Sequence, residues 1–218
     1  MYFDLAAIDR RSIYKLMTAT IVPRPIAWVV TRDSGGGLNA APFSFFGLMS
    51  GDPPVIAIGV GSRQGKPKDT GVNLRDGGEF VVNLVSRELM ARMNVTAIDF
   101  GPEVDELEMA GLETAPSTKV DPPRIAAAPV AFECVTQHVL PIDDNRWLVV
   151  GRPVAMHVRD GAVLDAERHY IDTPGLDLVG RMQGGGWYAL QDHLVEMRPL
   201  TEAAWREQAG AAGAAESR

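Results

Sequence analysis

Cysteine is almost absent from this sequence: Cys134 stands alone among 218 residues. A lone thiol forms no intrachain disulfide and cannot build a cysteine-based zinc site, and this usage fits a reducing compartment. Basic charge is in deficit, with 21 Lys and Arg against 28 Asp and Glu, and the resulting net charge of −7 argues against a nucleic-acid-binding face. No apolar run approaches the roughly 20 residues that cross a bilayer. Asp4, Asp9, Arg10 and Arg11 stand where a signal peptide needs an apolar core, so a cytoplasmic protein is expected. Neither H-E-x-x-H nor G-x-S-x-G occurs, and His138, His157, His169 and His193 are far apart. Gly59, Gly61 and Gly65 miss the dinucleotide-binding spacing by one residue. Zinc hydrolases, serine esterases and Rossmann dehydrogenases are thereby disfavoured.

What remains is a chain of short β-rich segments. Residues 26–31, 55–60, 80–85, 132–140 and 147–158 are rich in Val, Ile, Trp and Phe and read as strands. The glycines at 35–37 suit a hairpin turn, and Pro42 should end a strand or keep it at an edge. A short helix is expected over Ser12–Thr18 with Ser12 as its cap, a helical turn near 72–75, and a helix from Ser86 to about Asn94. Residues 99–129 are acidic, then proline-rich, and read as a surface excursion with one helical turn. Residues 141–145 read as a hairpin connection. No internal repeat is present. A single domain over residues 1–200 is expected, followed by a fraying Ala-rich tail over 201–218. Strands in hairpins with only short helices imply a closed, mainly β barrel, because closure removes exposed strand edges.

Two stretches carry candidate chemistry. Residues 61–70 (GSRQGKPKDT) combine glycines, cations and a hydroxyl ahead of a helix start. Free N–H groups, the helix dipole, Lys68 and Thr70 would together hold a phosphate. A solvated hairpin loop has the same composition, and the residues alone leave both readings open. Residues 39–47 (NAAPFSFFG) place Ser44 among phenylalanines at a kink. These side chains would wall a planar ligand or simply pack the core.

Taken in order, several segments resemble the flavin reductase-like FMN-binding split-barrel family, which includes flavoredoxin-type proteins. They are Pro23–Val29 (PRPIAWV), Asn39–Phe46, Pro53-Pro54, Lys68-Asp69-Thr70, Asn73, Glu79–Asn83 and Arg181 with Gly186-Trp187-Tyr188. The resemblance covers most of residues 10–190 and implies a Greek-key split β-barrel with short peripheral helices. It further implies a homodimer with FMN near the interface. Arg63, Lys68, Asp69 and Thr70 would hold the phosphate; Ser44, Phe45 and Phe46 would line the ring; Arg24 and Trp28 would approach it from their strand. Asn73, Arg181 and Tyr188 are secondary candidates. Gly47 and the loosely matching region after Asp165 depart from the family pattern.

The reaction the resemblance implies is hydride transfer from NADH or NADPH to flavin N5, with no conspicuous general base. A partner oxygenase would take the reduced flavin. A flavoredoxin-like electron carrier and flavin-dependent oxidation of a small organic substrate stand as alternatives. No metal is expected.

Overall fold

The computed structural model describes residues 1–101 and 103–206. The tail expected over 201–218 therefore falls outside the described residues from position 207 onward. Seven strands form one sheet: β1 Ala27–Arg32, β2 Leu38–Phe43, β3 Phe46–Gly51, β4 Pro54–Val60, β5 Glu79–Asn83, β6 Val130–Asp143 and β7 Arg146–Val158. Their spatial order is β2-β1-β5-β6-β7-β4-β3, with every neighbour antiparallel.

The two outer strands of that order, β2 and β3, are consecutive in the chain and joined only by Ser44 and Phe45. A two-residue link cannot span an open seven-stranded sheet, so the sheet must roll until its edges meet. Just before β3, the Phe45 carbonyl continues the β3–β4 pairing by accepting from the Gly59 N–H at 2.6 Å. A Cβ on Gly59 would stand 3.0 Å from that of Phe45, so glycine permits the close approach. The expected mainly β barrel is thus observed.

Alternation along β1 separates two cores. Ala27 and Val29 point to the barrel interior with Ile56, Ile58, Phe80, Val82 and Trp147. Trp28 and Val30 point the other way, under Leu89, Met93, Leu107 and Ile125. Pro42 sits in edge strand β2 opposite Trp28, where a missing N–H is tolerated.

Several boundaries differ from expectation. Helix α1 runs Arg10–Thr20, and its cap is Asp9, whose carboxylate accepts from the N–H groups of Arg11 and Ser12. Ser12 instead donates its hydroxyl to Asp9. Helix α2, Asp69–Arg75, begins three residues before the expected turn. Ser86 precedes a 3-10 turn, Arg87–Leu89, and then α3, Met90–Val95, without a side-chain capping bond. The long hairpin turns at Asp143–Arg146, so Pro141 and Ile142 belong to β6. The excursion does contain its helical turn, α4, Glu106–Met109, and also a small hairpin, Thr114–Ala115 with Arg124–Ile125.

Glu133 anchors that excursion. Its carboxylate is fully buried, accepts from the Thr118 and Lys119 N–H groups, and meets His157 Nε2 at 2.5 Å. Burial pushes the Glu133 pKa up, but bonds from His157, Thr118 and Lys119 outweigh it and hold the carboxyl below its ordinary value. A group so depressed contributes stability above its unfolded pKa and loses it as pH falls through the folded one. Acidification below the usual carboxylate range should therefore loosen residues 114–125, and Glu133→Gln should remove that pH dependence. Hydrogen exchange at Thr118 and Lys119 would check it; an unchanged profile in the variant would assign the acid sensitivity elsewhere.

Candidate functional site

The link that closes the barrel also opens a cleft. Ser44 and Phe45, with Pro42 and Phe43 at the end of β2, border a cavity of about 360 Å³. Its other walls come from Tyr14 of α1, Ser62, Lys68, and Arg181 and Tyr188 from the paired strands β8, Val179–Arg181, and β9, Tyr188–Leu190. Phe45 is half exposed, and the Tyr14 ring is tilted against it with centroids 6.4 Å apart. An aromatic slot with a hydroxyl at its bend is suited to a planar ligand.

One end of this cleft is cationic. Ser62–Arg63 and Lys66–Pro67 form a minute hairpin turned by Gln64 and Gly65, both at positive φ. It delivers Lys68 to the position just before α2. The Lys68 ammonium lies 5.1 Å from the Phe43 ring centroid, and no carboxylate pairs with it among the described residues. Burial, and then the nearby Arg63 charge, lower its pKa, with Asp99 opposing. A partly desolvated, unpaired ammonium is stabilised by an anion. Arg63 itself is bound to Asp99.

Arg24 plays a different part. It is buried, and its guanidinium donates to the carbonyls of Thr18, Ile21 and Met182 at 2.8, 2.7 and 2.6 Å. Its Nε approaches the Ser44 hydroxyl at 3.4 Å, and its backbone exchanges two hydrogen bonds with Arg181. Arg24 therefore caps the C-terminal end of α1 and ties it to the β8–β9 hairpin. Burial lowers its pKa, and the Arg181 charge adds to that.

A second chamber of about 760 Å³ lies across Phe45. Arg24, Tyr14, Ser44, Phe45 and Phe46 border it, together with Met17, Ile142, Arg10 and Arg146. Arg146 is neutralised by Asp143.

The candidates named from sequence are thus divided. Ser44, Phe45, Lys68 and Arg181 meet at the first cleft, while Arg24 and Phe46 border the second chamber. Trp28 lies elsewhere: it is fully buried and donates its indole N–H to Thr96 at 2.9 Å, because its place in the β1 alternation turns it to the outer core. Thr70 is buried as well, and its hydroxyl accepts from Asn39 at 2.8 Å. Asp69 and Asn73 border a separate acidic hollow with Glu106, and Asn73 donates to the Thr31 hydroxyl. Tyr14 and Asn94 were not legible as cleft residues, and Ser62 was singled out only as part of the 61–70 loop. Nothing in the spacing of α1 marks which side of that helix meets the cleft.

A model of the flavin reductase like domain matches residues 18–174. The chain belongs to that family. Among solved structures it is similar to 2-nitrobenzoate 2-nitroreductase NbaA of Pseudomonas fluorescens, at 33% identity and a TM-score of 0.84 over 93% of this chain and 98% of that one. Component B of nitrilotriacetate monooxygenase from Bacillus cereus aligns at 30% identity and a TM-score of 0.84, over 90% of this chain and 98% of its own. A split-barrel protein of Shewanella frigidimarina, at 18% identity and a TM-score of 0.77 over 92% and 100%, shares the fold. Among the described residues no helix is long and apolar enough to cross a membrane, and no cluster of His, Cys, Asp and Glu has metal-binding placement.

Proposed function

We propose that this family member binds FMN in the cleft between Phe45 and Lys68 and acts as an NAD(P)H-dependent flavin reductase. The observation that carries the reading is the pairing of an aromatic slot with an unneutralised, partly buried ammonium at one end. That donor set fits FMN: Lys68 and the Ser62 hydroxyl suit its phosphate, and Phe45, Tyr14 and Tyr188 suit its ring. Bound FMN would supply two-electron transfer between a nicotinamide and an acceptor.

The protein's own part is positional and electrostatic. Lys68 fixes one end of the ligand, and Phe45 with Tyr14 excludes water from its faces. Arg181, held over the Tyr188 ring at 4.7 Å, and the Arg24 charge behind it favour negative charge developing in the slot. Phe45 separates the slot from the second chamber, which leaves room there for a second reactant. The exposed apolar surface around that chamber supports a homodimer, and the likeness to a monooxygenase component supports delivery of reduced flavin to an oxygenase.

The second chamber also favours a second reading. Apolar walls with the Arg10 and Arg24 charges would admit a small aromatic anion, as the likeness to a nitrobenzoate reductase accords with. A flavoredoxin-like carrier would instead hold flavin without nucleotide turnover.

Anaerobic mixing of the FMN-loaded protein with NADH or NADPH tests the choice. Loss of the flavin absorption band with either nucleotide is the expected result. A band that survives both nucleotides contradicts the reductase. Its return on anaerobic addition of 2-nitrobenzoate, after bleaching, would identify the aromatic anion as acceptor.

A further inference from the structure

Residues 191–200 contain neither helix nor strand, and every one of them is exposed. Yet the segment is not polar. Leu194, Val195, Met197 and Leu200 show 64, 87, 87 and 59% of their surface to solvent. Apolar side chains held clear of the body gain nothing from burial, at about 25 cal/mol for each Å² left wet. The body has a matching deficit. Met17, Ile21, Phe45 and Ile142, which border the second chamber, are exposed by 42, 55, 51 and 65%. Contiguous apolar surface of this kind marks an interaction site.

The two surfaces start next to each other. Gln191 leaves β9 in a groove bordered by Pro23, Arg24 and Pro25, and the same three residues form one wall of the apolar chamber. Arg87 pairs with Asp192 just beyond. Ten extended residues reach about 33 Å, roughly the width of a small domain. In a two-fold dimer joined through the chamber face, each arm root would lie beside the partner's chamber, since an isologous interface repeats each patch on both copies.

We infer that residues 191–200 are an exchanged arm, which crosses to a second copy of this chain and lays its apolar side chains over the Met17–Ile142 face there. The arm then forms part of the wall of the partner's second chamber, so each chamber is completed by the other chain. This inference rests on the homodimer proposed above but not on the flavin.

Met17→Cys and Val195→Cys test it through a flexible bismaleimide, with Cys134 fully buried and silent. The two single variants are mixed, allowed to exchange subunits and cross-linked; the double variant is treated alongside. The expected product, in both samples, has twice the 23.6 kDa chain mass and is absent from each single variant alone. A cross-link confined to one chain in the double variant, or no cross-link, overturns the exchange. Light scattering on the same samples separates the failures. A dimer without the interchain product contradicts only the arm, whereas a single-chain mass also contradicts the dimer.

Discussion

Lys68→Ala is expected to weaken FMN about 10- to 100-fold and to leave riboflavin nearly unchanged. The range follows from one charge-assisted hydrogen bond, worth about 1.5–3 kcal/mol. Riboflavin shares the ring but lacks the phosphate, so it would not use that contact. The wild-type site concentrates the effect at this residue. Arg63 is occupied by Asp99, and Thr70 by Asn39, which leaves Lys68 as the cation of residues 61–70 that borders the cleft without a carboxylate. Isothermal titration with both ligands checks the result. Equal losses for the two would move the phosphate away from Lys68.

Arg24→Met should destabilise the fold by about 3 kcal/mol or more. Three carbonyls, on Thr18, Ile21 and Met182, would lose their donor together, and each buried unsatisfied group costs about 1–3 kcal/mol. Met fills much of the volume, so the lost bonds dominate. Helix α1 depends on this clasp because Thr18 is its only fully buried residue. Loosening it would also displace Tyr14 from the cleft, so FMN should weaken as a consequence. Urea unfolding and FMN titration on the same variant separate the roles. A lost ligand at unchanged stability would make Arg24 a direct ligand instead of a clasp.

The sequence made the barrel legible because alternating β-branched runs report strands directly, as residues 55–60 and 80–85 do. Hairpin chemistry then leaves few arrangements. Boundaries were less legible: the expected Ser12 cap was displaced by Asp9, three residues earlier, because both side chains are competent caps and only geometry chooses. Within the site, local pattern left Lys68 and Ser44 open and the family resemblance pointed to them; both border the cleft. That resemblance misplaced Trp28, since a strand buried on both faces gives no sign of which face a given residue takes. Thr70 was misplaced for a related reason. The helix begins earlier than its sequence indicates, which rotates the hydroxyl inward. Tyr14 reaches the cleft through the tertiary packing of α1, which meets Phe45 and is clasped by Arg24, and no local pattern encodes that.

The most direct test of the central claim is an FMN titration of the purified wild-type chain, followed through the flavin absorption spectrum. Saturable binding at one FMN per chain, with a shifted spectrum as the ring leaves water for the Phe45–Tyr14 slot, is the result expected here. A flavin spectrum that stays that of free FMN at every protein concentration would contradict the account.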